Sequence, residues 1–307
     1  MTLLWKPLLS ATLPLDPETN DFKWGLIPFP VYASTKIDGF RSMVQCGVLV
    51  SRNGLPVKNR ELQARYGRKQ YEGLDGELTD GPANGDDVFH RTSSVVKKAT
   101  ADASQTTFNV IDRVTTKPIY DLRTRVEELS CHTKVEDGLV TIRQVPIEGI
   151  LSLKKFEAKC LAQGFEGVML RRADQGAYPQ KPGKENRSTL REFYLCRVKR
   201  FEQAEATIVS ISYLEHNLNE DRTGTGRRSS KKANVEVDET QIGGALLRDC
   251  VTGKEFSTSV AREALRRWEG WQDERLWKGK KVRYKYQLVG TVDKPRINTC
   301  KFSEVLP

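Results

Sequence analysis

The chain reads as an α+β protein, with an antiparallel-sheet domain over residues 1–201 followed by a small β-barrel over residues 202–307. Between about residue 30 and residue 201, short β-rich runs bounded by Gly, Asn and Asp alternate with polar stretches of helical spacing. After residue 201 the texture turns to strands with little helix. The 307 residues suffice for two domains, each burying its own core.

In the first part, strands are expected at 41–51, 73–79 and 107–114. Helices are expected at 121–129 and 152–163, the second carrying Leu153, Phe156, Cys160 and Leu161 at helical spacing. In the second part, strands are expected at 206–212, 241–247 and 281–287, interrupted by an amphipathic helix at 259–268. Between the first two of those strands lies 220–233, a run of Gly, Ser, Thr, Arg and Lys without large apolar side chains. Its composition suits a solvated loop, or a basic arm that orders on phosphates through Arg227, Arg228, Lys231 and Lys232. No internal repeat is visible.

Lys and Arg number 50 against 40 acidic residues, a net charge of +10, which suits a polyanionic partner better than a membrane. No apolar run approaches the ~18 to 20 residues of a membrane helix. The first nine residues are apolar but lack a basic start and are broken by Lys6-Pro7, which argues against secretion. The six cysteines (Cys46, Cys131, Cys160, Cys196, Cys250, Cys300) stand singly, without a CxxC pair, as small core residues of a reducing, cytoplasmic compartment.

The string Lys36-Ile37-Asp38-Gly39-Phe40-Arg41 sits on a loop between two apolar runs. A free lysine, with pKa near ~10.4, is protonated at neutral pH, so a nucleophilic lysine needs cationic neighbours or burial. Arg41 and Arg52 are candidates to supply the charge, and Gly39 a tight turn. In Leu74-Asp75-Gly76-Glu77-Leu78, strand alternation puts Asp75 and Glu77 on one face and Leu74 and Leu78 in the core. Two such carboxylates can hold a ribose hydroxyl or a hard cation, and Glu166, opening the apolar run Gly167-Val168-Met169-Leu170, is another candidate metal ligand. In Cys196-Arg197-Val198-Lys199 alternation sends both cations to one face, as a phosphate chain requires.

Taken in order, Lys36 to Arg41, Ser51-Arg52-Asn53-Gly54, Asp75 to Leu78, Phe108 to Asp112, Glu166 to Arg171 and Arg197 to Lys199 resemble the nucleotidyltransferase motifs of the ATP-dependent DNA ligases. The likeness is greatest to the minimal two-domain enzymes of viruses and phages. Phe89 to Val95 and Arg187-Ser188-Thr189-Leu190-Arg191-Glu192 also look like ligase segments rather than those of capping enzymes. The resemblance implies an adenylation domain followed by an OB-fold. It implies that Lys36 attacks the α-phosphate of ATP, that the adenylate passes to the 5′-phosphate of a nick in duplex DNA, and that the 3′-hydroxyl then seals the strand. Nucleotide contacts would fall to Thr35, Lys36, Arg41, Arg52, Glu77, Arg197 and Lys199, and Mg²⁺ to Asp75, Glu77 and Glu166. DNA contacts would fall to Arg41, Arg52, Arg187 and the cations of the 220–233 loop, which stands where some viral ligases carry a DNA latch. The family's adenine-stacking ring falls on Ile111, and Arg197 stands where lysine is usual. At the C-terminus, Asp293-Lys294-Pro295-Arg296 resembles the start of the last motif, but Lys301 or Glu304 replaces its closing arginine. The single cysteines do not supply the zinc module of NAD⁺-dependent ligases.

Within the same superfamily the alternatives are an RNA ligase or a GTP-dependent capping enzyme. From another class, a non-catalytic OB-fold nucleic-acid-binding protein would explain the charge and the basic loop, but not the grouping of Lys36, Asp38 and Arg41. The reading implies a monomer working without a membrane.

Overall fold

Alternation of apolar side chains builds two sheets and a barrel. The computed structural model describes residues 5–16, 18–19, 21–114, 121–132, 138–181, 185–219, 234–260, 277–287 and 296–306. These divide into two compact units, Met1–Arg200 and Phe201–Pro307.

The first unit contains strands β1 (Ala11–Thr12), β2 (Val31–Thr35), β3 (Phe40–Gln45), β4 (Val48–Ser51), β5 (Leu74–Asp80), β6 (Thr106–Arg113), β7 (Leu139–Thr141), β8 (Val145–Ile147), β9 (Gly167–Arg172) and β10 (Cys196–Lys199). Its helices are α1 (Arg60–Tyr66), α2 (Val88–Val96), α3 (Leu122–His132) and α4 (Ile150–Ala162). One five-stranded sheet has the order β1-β10-β9-β2-β8 and the other β4-β3-β5-β6-β7. In the first sheet, Val31, Ala33, Val168, Leu170, Cys196 and Val198 share a core with Leu153 and Cys160 of α4. In the second, Val44, Leu74, Leu78, Phe108 and Val110 pack against Leu62 and Tyr66 of α1, Val96 of α2 and Leu129 of α3. Burying such side chains stabilises each layer by roughly 1.5–3 kcal/mol apiece. Because strand side chains alternate, the residues between these core positions face the other way, and there the site forms.

Both sheets depart from a purely antiparallel plan: β1 pairs with β10 and β6 with β7 in parallel. The expected strand 41–51 is a hairpin, since Cys46 and Gly47 take φ of 54° and 69° and close a two-residue turn. The helix expected at 152–163 starts two residues earlier, at Ile150.

The second unit is a closed barrel in the order β11-β12-β13-β15-β14, formed by β11 (Glu202–Asn217), β12 (Val235–Asp249), β13 (Glu255–Val260), β14 (Lys281–Gln287) and β15 (Arg296–Leu306). Ala206, Ile208, Leu247, Phe256, Trp277, Val282 and Tyr284 fill it. β11 runs well past the expected 206–212, because backbone pairing with β12 continues to Asn217↔Val235 after the buried positions end. Ser259 and Val260, expected to open a helix, belong to β13, and 261–268 lies outside the described residues. So do 220–233, with Arg227, Arg228, Lys231 and Lys232, and 293–295. No helix among the described residues is long and apolar enough to cross a membrane.

Candidate active site

A cleft in the first unit is lined from one sheet by Ser34, Met169, Arg171 and Arg197 and from the other by Arg41, Glu77 and Ile111, with Thr35, Lys36, Arg52 and Ile142 beside them and Leu9 and Ser10 closing a wall. Register explains the grouping. Ser34 pairs with Met169, and Met169 with Arg197, so these side chains stand in a row on the face opposite the core. Arg41 lies opposite Glu77 across β3 and β5.

Lys36 follows β2, held by its N–H to the Gly167 carbonyl (2.9 Å) and by its carbonyl, which accepts from the Glu166 N–H (3.2 Å). That backbone exchange brings the Lys36 ammonium onto the Glu166 carboxylate, which also holds Lys199 at 2.5 Å. Burial pushes the Glu166 carboxyl up, but Lys36 and Lys199 outweigh it and hold it below the usual range. Burial, with the neighbouring Lys36, lowers Lys199 despite Glu166. One carboxylate thus faces two amines at the edge of the cleft, and losing one amine's charge leaves a balanced pair.

Gly39 works differently from the tight turn expected of it. A Cβ there would meet the Leu78 carbonyl oxygen at 2.5 Å, so the missing side chain lets the Lys36 loop pass against β5.

Asp75 and Glu77 do share a face, and Arg41 is what they share. Its Nε and Nη2 bond the two Asp75 oxygens, each at 2.7 Å, and Nη1 lies 3.6 Å from Glu77. Burial disfavours the Arg41 charge, yet Asp75 and Glu77 together raise it above its ordinary value, so it stays charged. Asp75 also accepts from the Tyr178 hydroxyl at 2.7 Å. With its oxygens committed to Arg41 and Tyr178, Asp75 holds the cation in place, and the expectation that it ligates a metal gives way to that role. Glu77 remains the carboxylate facing the cleft, and burial pushes it up to about 7 against the pull of Arg41 and Lys36.

Arg52 is exposed on the turn Ser51-Arg52-Asn53-Gly54, closed by the Gly54 N–H on the Ser51 carbonyl at 2.8 Å, and reaches the same cleft. Arg197 lines it too, its Nε donating to the Thr12 hydroxyl at 2.9 Å. Arg187 is exposed outside the cleft, bonding the Ser10 carbonyl at 3.1 Å.

The expected nucleotide residues therefore come together, whereas the three expected metal carboxylates fall into two groups. Among the described residues no cluster of three or more His, Cys, Asp and Glu could cage a metal. That donor set still suits Mg²⁺, which is commonly held by one or two carboxylates together with substrate phosphates. Of the three, Glu77 is the carboxylate that lines the cleft, whereas Glu166, like Asp75, has both oxygens engaged, one by Lys36 and one by Lys199.

Sequence reasoning passed over Leu9, Ser10, Asp112, Arg171 and Tyr178. Asp112 is fully buried, and its carboxyl, raised by burial, is held low by Arg171 (2.8 Å) and Arg125 (2.9 Å). Asp112 and Arg171 close two of the strings already noted, and the signal lay in an arginine following the apolar run of β9 at a cleft-facing position.

No protein-family model matches the chain, and no curated protein does. Solved structures do. The chain is 28% identical to the crystal structure of Chlorella virus DNA ligase-adenylate, covering 98% of this chain and 99% of that one with a TM-score of 0.52. A second crystal structure of the same ligase-adenylate gives 29% identity, coverage of 97% and 98%, and a TM-score of 0.50. A structure from a study of Lig E DNA ligases shares the fold at a TM-score of 0.64, with 19% identity and coverage of 97% and 99%.

Proposed function

We infer that the chain is an ATP-dependent DNA ligase of the minimal viral or phage type, sealing nicks in duplex DNA through a lysyl-AMP intermediate. The observation that carries this is Lys36, at the wall of a cleft lined by Arg41, Arg52 and Arg197 and held on a carboxylate that Lys199 can balance alone. Near-complete two-way coverage by a ligase structure at 28% identity supports it.

In this reading residues 1–201 form the adenylation domain and 202–307 the OB-fold domain. ATP lies with its base between Ile111 and Met169 and its ribose near Glu77. Lys36 gives up a proton to solvent, its Nζ bonds to the α-phosphorus, and the bond to the bridging oxygen breaks as pyrophosphate leaves. Charge on the phosphorus oxygens is neutralised by Lys199 and Arg197, preorganised on one strand face. An oxygen of the nick 5′-phosphate next displaces Lys36 from the adenylate, and Arg41 and Arg52 hold that phosphate. The 3′-hydroxyl then attacks the 5′-phosphorus and AMP departs. Mg²⁺, held with the substrate phosphates by Glu77, or by Glu166 once Lys36 has left it, would supply further charge neutralisation. Arg187 and the 220–233 cations would bind DNA phosphates. The enzyme would act as a monomer in the cytoplasm, in replication, repair or recombination.

Incubation with α-labelled ATP or GTP and Mg²⁺ tests the reading. Covalent label from ATP and sealing of a nicked duplex are expected. Label from GTP would mean capping chemistry, sealing of RNA alone would mean an RNA ligase, and no label would mean a binding protein.

A further inference from the structure

Resting on the reading of Arg41 as a phosphate contact, we infer that Tyr178 is a positioning residue whose hydroxyl joins the N-terminal segment to Asp75 and thereby fixes the Arg41 guanidinium in the cleft. Tyr178 is 8% exposed and stands in no motif of the resemblance. Its oxygen accepts the Leu8 N–H at 2.6 Å and its O–H donates to Asp75 Oδ2 at 2.7 Å. The same carboxylate takes the Arg41 fork through both oxygens. Three parts of the site are therefore joined through the one Tyr178–Asp75 hydrogen bond: β5 through Asp75, β3 through the Arg41 fork on Asp75, and, through Leu8 on the Tyr178 oxygen, the segment whose next residues, Leu9 and Ser10, wall the cleft.

The geometry demands a phenol. The ring packs edge-on to Trp5 at 5.8 Å, which carries the hydroxyl to a carboxylate that is 0% exposed. Burial, reinforced by Asp75, pushes the phenol well above its ordinary value, so it remains a donor. Without the hydroxyl, the Leu8 N–H loses its acceptor and one Asp75 oxygen loses a donor, in a place closed to water. The carboxylate is then free to turn about its Cβ–Cγ bond, and the Arg41 fork turns with it. A bidentate guanidinium transmits that rotation, whereas an ammonium has no fork to be aimed.

The test is Tyr178→Phe, which keeps the ring, in the wild-type background and in Arg41→Lys. Single-turnover transfer of AMP from purified enzyme–AMP to nicked DNA should slow about ten-fold in Tyr178→Phe, the loss of one hydrogen bond to a charged group. In Arg41→Lys the same change should add nothing, since the pair acts as a unit. Equal slowing in both backgrounds, or none in the first, overturns the proposal. Exchange of the Arg41 Nε–H, followed by ¹⁵N NMR, reads the same tie without catalysis and should lose about ten-fold protection in Tyr178→Phe. Unchanged protection overturns the proposal whatever the enzyme does. Lost protection in a protein that forms no adenylate would leave the tie standing and sink the ligase reading instead.

Discussion

Replacing Glu77 by glutamine measures how much electrostatic strain the cleft carries. Burial pushes this carboxyl from an ordinary 4.5 up to about 7, with Arg41 and Lys36 opposing and Asp75 and Asp38 adding. The folded protein therefore binds the proton more tightly than the unfolded chain does. Its contribution to stability is complete below pH 4.5 and is lost as the pH rises through about 7. At ~1.36 kcal/mol for each pH unit between the two values, the whole effect is about 3 kcal/mol, most of which falls between pH 5 and pH 8. Glutamine does not titrate and lacks this component. Urea unfolding of both proteins, in buffer freed of divalent cations, should show wild type losing roughly 2–3 kcal/mol relative to Glu77→Gln between those two pH values. Parallel pH curves would refute the argument, because a carboxylate charged throughout that range in the folded state would leave the difference flat.

Lys36→Ala should leave no adenylate on the protein by mass spectrometry, while stability falls by only about 1 kcal/mol in urea because Glu166 keeps Lys199. Asp112→Asn leaves Arg125 and Arg171 buried without their anion, and urea unfolding should register a loss of about 3–5 kcal/mol. Deleting 220–233, which holds Arg222, Arg227, Arg228, Lys231 and Lys232, should weaken nicked-DNA binding and flatten the slope of log K against log salt, with self-adenylation intact. An unchanged slope would make that loop a bystander.

What the sequence disclosed and what it hid divide along a physical line. Alternation within one strand is local, and it placed Asp75 beside Glu77 and Arg197 beside Lys199, with Leu78 and Val198 in the core. It could not say which partner each charge meets, because partners are set by register between strands far apart in sequence. Asp75 looked like a metal ligand until β3 brought Arg41 across from β5, and Tyr178 arrived from a loop 103 residues further on. The same blindness covered the N-terminus. Its first nine residues read as an apolar stretch, broken by Lys6-Pro7, that argued against secretion and suggested no place in the fold, yet the Leu9 and Ala11 N–H groups bond the carbonyls of Asn186 and Leu195, and β1 pairs with β10, so that Leu9 and Ser10 reach the cleft. Gly39 shows the limit even inside a motif: its residue type was legible, but its reason lies in the Leu78 carbonyl rather than in its own turn. Chemistry that needs particular side chains left strings in the sequence, whereas the contacts that aim those side chains are tertiary, and Tyr178 belongs wholly to the second kind.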